Sequence, residues 1–402
     1  MTLELHKVAS QVKTMGQALT EQSLQRRQII AEARSLLHQF ATDHPPLFAR
    51  IERAESVFKK QRFDWVGAAP TGEALTQAFP LPTGPNQVTV IAGDGSQILP
   101  DRHAITLYYL INVGSLIYRH GSNEKPTAYN PEPLLCYRPE EILDEQGRLI
   151  SSSEINVKRD LAEMGVLVEL ATRAAPADEP LVALVDGQLT LRVIDLPFHQ
   201  QEERQNEYIA LLNQLRDAGA ALAGYIDRPR STFILSLLHL AGLEVEAITE
   251  ENLRQNRFRS LTDLDLFDFL GPGQRSAIFT TKAKGLEKYT YAGHTLHFFY
   301  LNAGPNPGSP QLARVEIPAW IATDPVALDT LHATIIRQAA LTGGFPYVLA
   351  RADELAVISP EEREAVEMML AVEMRRHGLT PSLSSKQSNK NAFRSGRESF
   401  RL

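Results

Sequence analysis

Two Asp-Gly pairs, each closing an apolar run, mark where this chain could do chemistry. The first is Asp94, in Ala92-Gly93-Asp94-Gly95-Ser96 after Val88-Thr89-Val90-Ile91. The second is Asp186 in Asp186-Gly187, after Leu181-Val182-Ala183-Leu184-Val185. An Asp-Gly pair also closes tight turns. At a strand end, however, an aspartate flanked by glycine leaves room for backbone or substrate to come close. Oxygen ligands of that kind suit a hard divalent cation. A helical stretch over residues 154–175 adds Glu154, Glu163 and Glu169. Ala162, Gly165 and Glu169 fall on one helix stripe, and small residues there would let the helix lie close to a sheet and bring Glu169 to its edge. Glu163 points about 100° away from Ala162 and is expected in solvent. Carboxylates drawn from separate elements repel one another unless a cation neutralises them. Two divalent ions about 4 Å apart, bridged by phosphate, would use such a set for phosphodiester hydrolysis.

The elements that must position these residues can be read from periodicity. Residues 3 to about 60 read as helix, with Val8, Val12, Met15 and Leu19, and then Ile29, Ile30, Ala33, Leu37 and Phe40, at three- to four-residue spacing. Asp43-His44-Pro45-Pro46 breaks this arm, and a second helix runs through Ile51, Ala54 and Val57. Residues 66–86, rich in Gly, Pro, Thr and Ala, read as a linker. Strands follow at Val88–Ala92, Ala104–Asn112 and Gly114–Arg119, the last two split at Val113-Gly114 into an antiparallel meander. After helix 154–175 come a fully apolar strand ending at Asp186, a charged helix over 200–218, and a strand over 221–226. Asp227-Arg228-Pro229-Arg230 follows that strand, and Ser231 reads as the N-cap of a helix through Leu243. Further strands are expected at 276–280, 295–301 and 314–317. Helices follow Thr323-Asp324-Pro325 and Gly343-Gly344-Phe345-Pro346, and a charged one spans 360–377. His332, on the helix after Asp324, is a further candidate to face the site.

A strand carrying Asp94, two antiparallel strands, an acid-bearing helix and a buried strand ending in Asp186 is the element order of a ribonuclease-H-like fold. The fold class expected is therefore α/β, with a ribonuclease-H-like mixed sheet, flanking helices, a helical N-terminal arm and C-terminal additions. The domains expected are an arm over 1–65, a linker over 66–86, a ribonuclease-H-like domain over 87–360, a helix over 361–379 and a disordered basic tail over 380–402. That tail carries Lys386, Lys390, Arg394, Arg397 and Arg401 against Glu398 alone.

Composition narrows the function classes. The chain has 402 residues, 43% hydrophobic and 22% charged, in the range of globular proteins. No apolar run approaches the roughly 18 residues of a membrane span. Met1-Thr2-Leu3-Glu4-Leu5-His6-Lys7 lacks the pattern of a secretory signal. A single cysteine, Cys136, excludes an internal disulfide and a cysteine-based zinc site. A cytoplasmic protein is expected. The net charge of −7 argues against a general nucleic-acid coat but leaves room for a local basic groove. No Gly-x-Ser-x-Gly elbow, Walker loop or His-Glu-x-x-His pair offers other chemistry.

The two Asp-Gly motifs, with Gln188-Leu189 after the second, resemble those of the NurA nuclease family. Gly224-Tyr225-Ile226-Asp227-Arg228-Pro229-Arg230-Ser231 and Gly344-Phe345-Pro346-Tyr347-Val348-Leu349-Ala350-Arg351-Ala352-Asp353 resemble it as well. The similarity covers roughly residues 86–360. It implies a ribonuclease-H-like core, a homodimer, and manganese-dependent DNA cleavage, with magnesium as the alternative ion. It also implies 5′-to-3′ exonuclease and single-strand endonuclease activity, in DNA end resection with a HerA-type hexameric ATPase.

Carried over by motif, the metal ligands fall on Asp94, Glu169 and Asp186. The sequence departs from the family where a Lys is frequent after the fifth strand (here Asp227, beside Arg228). It departs again where Tyr-Pro and Ala-His are typical (here Phe345-Pro346 and Ala352-Asp353). Asp353 would replace the histidine as an oxygen ligand. Arg228 and Arg230 would contact phosphates. The retained acids favour a nuclease, and the changes at Phe345 and Asp353 favour the alternative, a non-catalytic DNA-binding or ATPase-docking subunit that keeps the fold.

Overall fold

The chain runs through twelve α-helices and ten strands among its described residues. The computed structural model describes residues 5–60, 65–102, 104–144, 146–174, 179–283 and 285–379. The basic tail over 380–402 lies outside them. In chain order come α1 (Leu5–Gln39), α2 (Pro45–Lys60), β1 (Gly67–Pro70), β2 (Val88–Ile98), β3 (Tyr109–His120), β4 (Thr127–Tyr129), β5 (Leu134–Cys136) and α3 (Pro139–Ile142). Next are α4 (Ser152–Ala174), β6 (Leu181–Asp186), α5 (Phe198–Asp217), β7 (Ala220–Asp227), α6 (Phe233–Ala241), α7 (Glu250–Arg254) and β8 (Phe279–Lys282). The last are α8 (Glu287–Tyr291), β9 (Leu296–Asn302), β10 (Leu312–Pro318), α9 (Ala319–Ala322), α10 (Pro325–Ala340), α11 (Tyr347–Ala356) and α12 (Pro360–Arg376).

The chain divides into two units, Met1–Gly84 with Ala223–Pro346, and Pro85–Leu222 with Tyr347–Leu402. The second unit is a mixed sheet between helices. β2 pairs antiparallel with β3 and parallel with β6, while β4 and β5 pair antiparallel with β3. β6 is apolar and buried from Leu181 to Val185, as expected of a strand covered on both faces. An antiparallel hairpin and a parallel strand after a helix make this the ribonuclease-H-like α/β arrangement; Asp186 ends β6 as expected, whereas β2 continues past Gly95 to Ile98, so Asp94 lies within its strand rather than at its end. α4 presents Ile155, Leu161, Met164, Leu167 and Leu170 to the interior. The break expected at Val113-Gly114 is absent, because β3 runs unbroken for 12 residues. Gly114 serves packing instead: a Cβ there would lie 2.4 Å from the backbone nitrogen of Ala356, in α11.

In the first unit, β1, β8, β9, β10 and the Ala223–Asp227 part of β7 follow one another as antiparallel neighbours. Ala33, Leu37, Leu47, Ile51 and Ala54 of α1 and α2 bury against Ile234, Leu235 and Leu238 of α6. Within the stretch read as a linker, Ala68 and Ala69 form β1 and Leu75 is buried, so its small residues serve strand pairing and core contact. The expected N-cap of α6 also differs. Thr232 holds that position, Ser231 bonds the Tyr300 hydroxyl at 2.8 Å, and the distant Asp263 accepts the amides of Ile234 and Leu235. The helix after Thr323-Asp324-Pro325 forms as read: Asp324 caps α10, with Oδ1 accepting from Val326 at 2.9 Å.

Candidate active site

Asp94 lies in β2, paired across the hairpin with Gly114. Paired residues of an antiparallel ladder point to one face, and successive residues to opposite faces. Ser96 Oγ, two residues on, bonds the carbonyl of Ala356, and Asn112 Nδ2, paired with Ser96, donates to the same carbonyl at 2.8 Å. The C-terminal end of α11 is thereby fixed to the Asp94 face. α11 also carries Asp353, which hydrogen-bonds Asp94 carboxyl to carboxyl. Burial pushes the Asp94 carboxyl above its ordinary range, the Gly95 amide opposes this, and the charge of Asp353 adds to it.

The opposite face of β2 meets α4. A Cβ on Gly95 would fall 2.5 Å from Glu163 Oε1 and 2.7 Å from Arg159 Cγ. The glycines around Asp94 thus admit a helix carboxylate to the strand. Glu163 is 9% exposed, and its Oε1 has no hydrogen-bond partner. That oxygen lies 3.0 Å from Arg159 Nε without hydrogen-bond alignment. Burial pushes its carboxyl up to about 8; Arg159 opposes this, and Asp160, Asp94 and Asp186 reinforce it. Asp186, exposed at the end of β6, completes the group.

Asp353 thus stands beside Asp94 on one face of β2, Asp186 ends the neighbouring strand β6, and Glu163 packs with α4 against the other face at Gly95. Glu163 was expected in solvent and is buried instead. The α4 face that meets the sheet runs through Glu163, Met164 and Leu167, and the clearance at Gly95 is the signal that points to it. Glu169 turns toward β4: the Tyr129 hydroxyl donates to its Oε1 at 2.8 Å, and Arg173 pairs with it at 2.6 Å. His332 is buried in the first unit and bonds the carbonyl of Gly273 at 2.8 Å. Burial pushes its imidazole down to about 4, so it is neutral and packed.

Arg228 and Arg230, also in the first unit, are exposed on the loop after β7. Arg228 has a left-handed backbone, φ 44°, and its Nε lies 3.6 Å from Asp227. Phe345 packs edge-on against Tyr225, with ring centres 5.5 Å apart.

A NurA domain family profile matches residues 88–358, more than half of the chain and the whole span of the acid cluster. The chain belongs to the NurA family. A NurA crystal structure is 12% identical with a TM-score of 0.38, and the match covers 80% of this chain and 94% of that one. A NurA structure with manganese is 11% identical with a TM-score of 0.36, over 73% of this chain and 91% of that one. The catalytic domain of human Endonuclease V is 14% identical with a TM-score of 0.31, over 71% and 84%. No curated protein matches. NurA membership supports a DNA nuclease.

The donor set fits a hard divalent cation. It is all oxygen, and the Oε1 of Glu163 has no hydrogen-bond partner. As placed, no three of these side chains converge on one point among the described residues. No helix among them is long and apolar enough to cross a membrane.

Proposed function

We propose that this NurA-family chain is a metal-dependent DNA nuclease whose site is Asp94, Glu163, Asp186 and Asp353. One observation carries the reading: acids from β2, α4, β6 and α11 lie near enough that Asp353 raises Asp94, and Asp94 and Asp186 raise Glu163, although grouping them costs electrostatic energy. A structural role would be met better by neutral groups. Asp94, Asp186 and Asp353 would hold manganese or magnesium, which when bound supplies Lewis-acid polarisation of the scissile phosphate. Glu163 is kept from water by α4 and β2. Arg228 and Arg230 would bind phosphates of the DNA strand.

The finer reading follows the family. The activities would be 5′-to-3′ exonuclease and single-strand endonuclease, the setting DNA end resection in the cytoplasm, the assembly a homodimer, and the partner a HerA-type hexameric ATPase. The test is cleavage of 5′-labelled single- and double-stranded DNA with manganese, magnesium or EDTA, beside Asp94→Ala. Manganese-dependent cutting that Asp94→Ala abolishes, with an unchanged circular dichroism spectrum, is expected. Equal cutting by the variant would refute the site. No cutting even with the cognate ATPase would favour the non-catalytic subunit.

A further inference from the structure

Arg159 stands among the carboxylates, and the reaction above gives it no part. It lies on α4 one turn before Glu163, with 29% of its side chain exposed. One terminal nitrogen donates to Gln97 Oε1 of β2 at 3.0 Å, and the other donates to Asp160 Oδ1 at 2.8 Å. Gln97 is itself fixed, donating to Asn156 Oδ1 at 2.9 Å. The arginine stem crosses the space over Gly95, where a Cβ would meet Cγ at 2.7 Å and Cδ at 3.1 Å. An arginine that reads phosphate presents its fork to the ligand. This fork is turned into the protein and committed to a glutamine and an aspartate, while Nε rests against Glu163 Oε1. Arg159 also acts on Asp94 by charge.

We propose that Arg159 is the resident counter-cation of the carboxylate cluster, a positioning residue that holds the acids together against their repulsion and with which an arriving divalent ion competes. The competition rests on the metal reading above; the charge balance does not. A guanidinium against Glu163 holds that carboxylate in place, and its positive charge repels a second cation brought to the same acids. Loss of Arg159 therefore weakens the metal-free protein and favours the ion. Arg159→Lys keeps the charge without the fork and separates the two effects.

The experiment is thermal unfolding in EDTA at pH 8 of the wild type, Arg159→Gln, Glu163→Gln and the double variant. It is paired with titration of manganese followed by the paramagnetic resonance signal of the free ion. Arg159→Gln is expected to unfold about 4 °C or more below the wild type, and Glu163→Gln to restore most of that loss in the double variant. The manganese dissociation constant should fall about tenfold in Arg159→Gln, by relief of charge repulsion, and stay near the wild-type value in Arg159→Lys. Additive stability losses, or a dissociation constant that is unchanged or higher in Arg159→Gln, would overturn the proposal. Manganese binding to neither protein, with the stability coupling intact, would overturn the metal reading and uphold the counter-cation role.

Discussion

Glu163→Gln tests the electrostatics of the cluster without any substrate. The Glu163 carboxyl is pushed from its ordinary 4.5 up to about 8, first by burial and then by Asp160, Asp94 and Asp186, with Arg159 opposing. The unfolded chain releases this proton near the ordinary value and the folded chain holds it until about pH 8. Between those values the folded state binds more protons, so stability falls as pH rises. At 1.36 kcal/mol per tenfold, the gap corresponds to about 5 kcal/mol, and relaxation around the site brings it down to a few. Glutamine keeps the shape and cannot ionise. In EDTA, urea unfolding from pH 5 to 9 should show the wild type losing stability up to about pH 8 and then levelling. Glu163→Gln should lose much less over the same range and be the more stable protein at pH 8. Parallel curves from pH 5 to 8 would refute the burial of an ionisable glutamate against Asp94 and Asp186.

Three further outcomes follow from the placement of single residues. Gly114→Ala puts a Cβ 2.4 Å from the Ala356 nitrogen and 2.5 Å from the Leu355 carbonyl carbon; backbone cannot yield, so α11 must lift, at about 1–3 kcal/mol in urea unfolding, with loss of cleavage as Asp353 leaves Asp94. Glu169→Gln should cut labelled DNA within about twofold of the wild type, because its side chain is turned to Tyr129 and Arg173, while Glu163→Gln loses most of its activity; a reversed order would return the helix acid to Glu169. Arg228→Ala and Arg230→Ala should each weaken DNA binding and lower the salt dependence by about one ion, measured by anisotropy at several salt concentrations; an unchanged slope would remove both from the interface.

Much of the fold is legible because its signals are local. The apolar run from Leu181 to Val185 reads as a strand covered on both faces and is one, and Asp324 with Pro325 after it caps and starts α10. What could not be read depends on contacts between distant segments. The amides at the start of α6 are satisfied by Asp263, about thirty residues downstream, so the adjacent Ser231 is left for Tyr300. Gly114 resembles a strand break, and its purpose appears only with Ala356 across from it.

The helix acid shows the same division within one motif. The stripe Ala162, Gly165 and Glu169 is real as a pattern, but Gly165 has nothing within 4 Å of a would-be Cβ, so its smallness serves no close approach. The close approach is made by the strand's glycine, Gly95, against Glu163 and Arg159. Where a helix and a strand must meet closely, either partner can supply the missing side chain. Sequence alone shows both candidates without saying which is used. Gly93-Asp94-Gly95 thus carries two instructions in alternate positions. Asp94 faces α11 and Asp353, and Gly95 opens the other face to α4 and Glu163. A side chain at Gly95 would collide with Glu163 and Arg159 while leaving every acid in the sequence, so the proposed site depends on that glycine as much as on its carboxylates.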